Sequence, residues 1–385
     1  MVDTMSLLRA FLRSASGCLR GSSALGEAGD SSRPAVGLPP DGEVLLDAPD
    51  ERLAPALVAA ARGDHGPAAA LLATTREAAD WEDRDRYVTR LAAFARSRDE
   101  WLLDWCAAAP RDPDALLVEA ELAVRRGWES PARAEVLRRV APLVAEAAEC
   151  AAGDPVPWRV ALDHARGTAA RPAEFERLWA EAVRRCPHHY GCHVAALRYL
   201  SAACRARTGS SPHALLSPRA PHAPHASRGS RGSRRECLDF AETAAQEAPP
   251  GSLMQALPLR AAFACLTAGD GAAVAAGRLH AAADRAIALS SRQAAAAPEP
   301  AEVRNLLTYV LVELGRWEDA LTQLRMTGPY ATSFPWDRIS DDPLGAFLTV
   351  RDGVRLNAVS PGPPPSVRLL LAHGGHAGRT RFRAH

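Results

Sequence analysis

Residues 154–204, DPVPWRVALDHARGTAARPAEFERLWAEAVRRCPHHYGCHVAALRYLSAAC, constrain the fold more than any other stretch. They read as three helices joined by short proline-marked turns. In the middle helix Pro172 sits in the first turn, where its missing N–H is tolerated. Glu174 and Glu176 follow it, and Arg184 and Arg185 close the last turn, which complements the helix dipole at both ends. Phe175, Leu178, Trp179, Ala182 and Cys186 then fall on one apolar stripe, and Pro187 ends the run. The preceding helix shows Trp158, Leu162 and Ala165 on one side and stops near Gly167; the following one shows Tyr190, Val194, Leu197 and Leu200. Rods that are apolar on more than one side need neighbours on each, so a stack of helical hairpins is expected.

The theme recurs. Prolines 113, 155, 187, 249 and 298 each follow the end of one helix and open another apolar one. The 62-residue gap between Pro187 and Pro249 is the widest, and it contains RTGSSPHALLSPRAPHAPHASRGSRGSRR, residues 207–235. That insertion has no acid and little that packs, so it is expected to be disordered. The expected division is a flexible arm with a short amphipathic helix over 1–50, helical repeats over 51–206, the insertion over 207–235, further repeats over 236–352 and a disordered basic tail over 353–385. The fold class is all-α, antiparallel hairpins stacked as an α-solenoid. Only 5% of residues are aromatic against 47% hydrophobic, so alanine and leucine supply the core, which favours close-packed helices over sheets.

Every one of the 46 basic residues is arginine. The lack of lysine removes a P-loop lysine, a Schiff-base lysine and a lysine general base. A net charge of +1 gives no global electrostatic case for nucleic acid. Eight scattered cysteines without a CxxC pair read as reduced, mostly buried thiols of a cytoplasmic protein. No apolar run reaches the roughly 18–20 residues of a membrane span. The start, MSLLRAFLRSASGCLRGS, carries arginines inside its apolar part, so no secretory signal is expected.

Gly315, Trp317, Glu318 and Ala320 stand at the G-x-[YW]-E-x-A spacing of tetratricopeptide repeats, with Leu307, Leu311 and Leu324 at the repeat's large apolar positions. The segment therefore resembles one such repeat, which implies a helical hairpin and a protein- or peptide-binding role. Over most of residues 50–350 the chain also resembles a bacterial family of helical-repeat proteins of unknown function, through WLLDWCAAAPRDPDALLVEAELAVRRGW, PHHYGCHVAALRYL, FAETAAQEAPPGSLMQALPL and TGPYATSFPW. That family's Trp-Cys and Gly-Ser-His-rich turn after the PHHY helix is replaced here by SAACRARTGSS, and the resemblance implies no activity, cofactor or site residue.

Cys186, His188, His189, Cys192 and His193 cluster in sequence, and His189 and His193 share a helix face as zinc ligands would. No acid lies nearby to orient the imidazoles and Pro187 breaks the helix, so turn and packing roles are expected, with no metal or cofactor. Glu82, Asp83 and Asp85 alternate with Arg84 and Arg86; a solvated, salt-bridged helix face accounts for them better than acid–base chemistry. GDGAAVAAG from Gly269 is half a dinucleotide loop and lacks the third glycine, so nucleotide binding is not expected. The expected function is a non-catalytic scaffold for a protein or peptide partner. The alternatives are an enzyme with a metal or acid–base site in a helical pocket, and a nucleic-acid adaptor using the arginine-rich insertion. Tyr190, His189, His193, Trp317, Tyr330 and Trp336 are the candidate interaction residues.

Overall fold

A computed structural model describes residues 37–208, 234–268, 274–359 and 367, with the backbone alone over 203–208. The expected amphipathic helix of the N-terminal arm, most of the insertion, the Gly269 loop and the tail beyond Val359, save Val367, lie outside the described residues. The described chain is mostly helical, with almost no strand. In order it forms β1 (Leu45–Leu46), α1 (Ala54–Ala60), α2 (Gly66–Glu77), α3 (Trp81–Ala95), α4 (Glu100–Ala108), α5 (Pro113–Glu129), α6 (Arg133–Cys150), α7 (Val156–Gly167), α8 (Pro172–Arg185) and α9 (Tyr190–Thr208). There follow α10 (Arg234–Glu247), α11 (Leu257–Thr267), α12 (Ala276–Ser290), α13 (Ala301–Glu313), α14 (Trp317–Thr327), β2 (Tyr330–Ala331), α15 (Ser333–Trp336) and α16 (Pro343–Val359). No helix among the described residues is long and apolar enough to cross a membrane.

The chain divides into two compact units, Asp50–Ala282 and a discontinuous one made of residues 1–49 with 283–385. In the Asp50–Ala282 unit, proline and aspartate start the helices. Asp112 accepts from the backbone N–H groups of Asp114 (2.8 Å) and Ala115 (3.2 Å), satisfying donors that the first turn of α5 leaves open, while Pro113 occupies the first helical position. Asp154 does the same for Val156 N at 2.8 Å ahead of α7. Each helix packs on the next in sequence, and α3, α5, α7, α9 and α11 form a second series of contacts, each with the next. The shared core includes Leu72, Tyr87, Leu91, Leu117, Leu137 and Val156, each fully removed from water. Burying one such aliphatic side chain contributes about 1.5–3 kcal/mol, so this layer supplies most of the driving force.

In the other unit, α13 and α14 form the hairpin whose sequence resembles a tetratricopeptide repeat. Gly315 takes φ +70° in its turn, a left-handed conformation that glycine adopts without strain. Leu307, Leu311 and Ala320 are fully buried, and Leu324 and Trp317 nearly so. Trp336 is fully buried; its Nε1 donates to Asn305 Oδ1 at 2.8 Å, and its ring meets Tyr309 and Phe347 edge-on. Two expected boundaries move. The segment 37–49, assigned to the flexible arm, is seated in this unit through β1, which pairs in parallel with β2. The last helix continues to Val359, past the expected start of the tail at 353.

Candidate functional site

Polar chemistry concentrates where α3, α5, α7 and the start of α9 meet. Arg159 on α7 is buried and central. Its Nε donates to Asp85 Oδ1 at 2.8 Å and its Nη1 to Glu121 Oε2 at 2.5 Å, with Asp163 3.9 Å away. Glu121 also accepts from Arg125 Nε at 2.6 Å. Burial acting alone would raise the Glu121 carboxyl, but the Arg159 and Arg125 guanidiniums outweigh it and hold it down at about 2. Burial would likewise lower Arg159; the charges of Asp85 and Glu121 raise it instead, so the guanidinium is permanently charged. On α3, next to Asp85, Arg84 is wholly buried and binds Asp154 at 2.6 Å, Asp114 at 2.5 Å and the Leu72 carbonyl at 2.8 Å. Of the alternating charges of α3, Asp83 and Arg86 form a part-exposed ion pair, whereas Arg84 and Asp85 do not belong to a solvated face. Arg84 points inward to carboxylates 30 and 70 residues further along the chain, and Asp85 points inward to Arg159, 74 residues further along.

Against this network lies the start of α9. His189 is fully buried and Cys192 almost so. Cys192 Sγ is 3.1 Å from His189 Nδ1, and His189 Nε2 is 3.9 Å from Asp85 Oδ2. Thiol, imidazole and carboxylate therefore stand in the order a nucleophilic relay requires. The thiol and Nδ1 are nevertheless engaged otherwise. The Cys192 thiol donates to the Pro155 carbonyl at 3.5 Å, and His189 Nδ1 accepts from the Cys192 backbone N–H at 3.3 Å. That bond assigns the proton to Nε2, which has no hydrogen-bond partner among the described residues and stops short of Asp85. Burial pushes the Cys192 thiol well above its ordinary value, and the Asp85 charge adds to it. Gly191 permits the close packing: a Cβ there would stand 2.0 Å from Asp85 Oδ2. Glu82 completes the junction by accepting from Tyr190 N at 2.8 Å, with burial pushing its carboxyl up.

The candidate interaction residues fall into both units, and most are interior. His189, Tyr190 and His193 belong to Asp50–Ala282; Trp317, Tyr330 and Trp336 belong to the other unit. His189 and Trp336 are fully buried, and His193, Tyr190 and Trp317 are 5–8% exposed, so none of these five presents its ring to a partner in this conformation. Tyr330 alone is half-buried, on β2. Tyr190 OH accepts from Arg260 Nε at 2.9 Å, a contact between α9 and α11. His193 Nδ1 donates to the His189 carbonyl at 3.0 Å and its ring packs between Trp179 and Phe240. Burial drives the His193 imidazole down to about 4, so it is neutral at ordinary pH. Among the described residues no three His, Cys, Asp or Glu side chains converge as metal ligands. The residues that sequence reasoning missed are the buried arginines 84 and 159. Their only signal was an arginine on the same helix as an apolar stripe, which a solvated residue shows equally well.

No family model, curated protein or solved structure matches the chain.

Proposed function

We propose that the protein is a non-catalytic, tetratricopeptide-like scaffold, hairpins stacked as an α-solenoid, that binds a protein or peptide partner in the cytoplasm. The observation that supports this most is the packing order of the Asp50–Ala282 unit, where each helix meets its successor and every second helix meets the next of its series. Stacked hairpins of this kind offer extended surfaces, and surfaces of that form serve recognition. The polar cluster fits the same reading, since its arginines and carboxylates hold helices to one another. A thiol-dependent enzyme is the second reading, and the 3.1 Å separation of Cys192 and His189 is what favours it. The immobilised chain should retain from native lysate a protein that, once purified, binds it saturably in calorimetry. Retention of nothing at micromolar bait, or a turnover abolished by Cys192→Ser, contradicts the proposal.

A further inference from the structure

The segment Pro39–Asp47 is bound to the rest of its unit in the manner of a peptide ligand. It is extended at β1, where Leu45 and Leu46 stand opposite Tyr330 and Ala331. Leu45 N donates to the Pro329 carbonyl at 2.8 Å and Asp47 N to the Ala331 carbonyl at 2.9 Å. An acid sits near each end. Asp47 accepts from Ser333 N at 2.9 Å and from the Ser333 hydroxyl, and Asp41 pairs with Arg351, whose Nη1 also holds the Pro39 carbonyl at 3.0 Å. Backbone pairing for affinity with side-chain sites for register is the logic of strand addition.

Two further features show that this seat is not exhausted by its tethered occupant. Between residues 37 and 49 only Val44 is buried, and Leu38, Pro39 and residues 45–49 keep part of their surface in water. Arg351 is itself 1% exposed, yet its Nε has no hydrogen-bond partner among the described residues, because the short Asp41 side chain engages the guanidinium through Nη2. A tethered segment competes at an effective concentration on the order of millimolar. An identical segment from a second copy gains nothing over it. A ligand whose carboxylate spans both Nε and Nη2 of Arg351 does gain.

We propose that β2, Ser333 and Arg351 form a recognition groove for an extended peptide of a partner protein, one with an apolar pair flanked by carboxylates, and that residues 39–47 fill this groove in cis until the partner displaces them. The proposal rests on reading the chain as a peptide-binding scaffold and locates one of its sites. The test is fluorescence anisotropy with a labelled synthetic peptide of residues 37–49 carrying Asp41→Glu. It is titrated with the full-length wild-type chain and with the full-length Asp41→Ala/Asp47→Ala chain, whose own segment is weakened. The weakened chain binds the peptide at least about tenfold more tightly, and Asp47→Ala in the peptide weakens binding about tenfold. Equal affinity for both chains, or indifference to the peptide's acids, overturns the proposal. The wild-type chain gives an independent reading: millimolar peptide should speed amide exchange at residues 44–47, and unchanged exchange counts against the groove. A dimer of the wild-type chain that this peptide dissociates assigns the groove to a second copy and overturns the partner. Failure of the peptide leaves lysate capture unaffected, since a partner bound on the hairpins elsewhere would still be retained.

Discussion

Replacing Arg84 with methionine keeps the length of the apolar stem and removes the guanidinium. Three bonds go with it, to Asp154, Asp114 and the Leu72 carbonyl at 2.6, 2.5 and 2.8 Å. Asp114 keeps Arg76 at 3.3 Å, but Asp154, 1% exposed, keeps among the described residues only the backbone N–H of Val156. Stranding one partner of a buried ion pair costs roughly 3–5 kcal/mol, and since Asp114 is half relieved we expect about 4. Adding Asp154→Asn removes the stranded charge, so in the Arg84→Met background it should restore about 1–2 kcal/mol, whereas alone it destabilises. Because the chain has two units, a single unfolding curve is a poor assay. Amide exchange resolved by mass spectrometry along α3, α5 and α7 reads the affected unit by itself. An Arg84→Met chain whose opening free energy there falls by less than about 1 kcal/mol would refute the reasoning. So would an Asp154→Asn effect of the same sign and size in both backgrounds.

Glu121, held at about 2 by Arg159 and Arg125 against its burial, contributes stability that is complete above about 4.3. That contribution, on the order of 3 kcal/mol, is lost as pH falls through about 2, so Glu121→Gln should flatten the acid limb read from amide exchange in α5 and α7 across urea series at stepped pH. His193 acts in a different window: with its imidazole driven to about 4 by burial, the unfolded chain binds more protons between there and about 6.5. Stability therefore rises with pH across that window, by up to about 1.4 kcal/mol per pH step of one, and His193→Gln should remove the slope. Arg304 is buried with no acid beside it among the described residues, its guanidinium donating to the Ser290 hydroxyl and to the carbonyls of Ser290, Gln293, Ala294 and Met326 at 2.8–3.2 Å. Lysine cannot reproduce that fan of donors, so Arg304→Lys should lower stability by about 2 kcal/mol, read from amide exchange in α13.

What was legible in the sequence was what depends on spacing along one helix. The stripe of Phe175, Leu178, Trp179, Ala182 and Cys186 predicts α8, and the helix runs from Pro172 to Arg185 with Phe175 and Ala182 at its most buried positions. The end of α7 at Gly167 and the hairpin around Gly315 follow from local chemistry in the same way. What was not legible depends on partners far apart in sequence. Arg159 looks like any polar residue beside Trp158 until Asp85, 74 residues earlier, is placed against it. His189 and His193 stand among the candidate interaction residues, yet tertiary packing of Trp179 and Phe240 encloses His193. The seating of residues 39–47 rests on pairing with residues some 290–310 positions away, to which no local period points.

The proposed scaffold requires that the charges and the thiol where α3, α5, α7 and α9 meet bind helices to one another and perform no chemistry. Iodoacetamide labelling of Cys192 in the native chain, followed by peptide mass spectrometry across a urea series, tests this most directly. The expected result is a rate that rises with urea as steeply as amide exchange in α7 and α9 and is far slower than that of the exposed Cys150. Labelling of Cys192 that is fast at neutral pH, indifferent to urea and slowed by His189→Gln would reveal an accessible thiolate and contradict it.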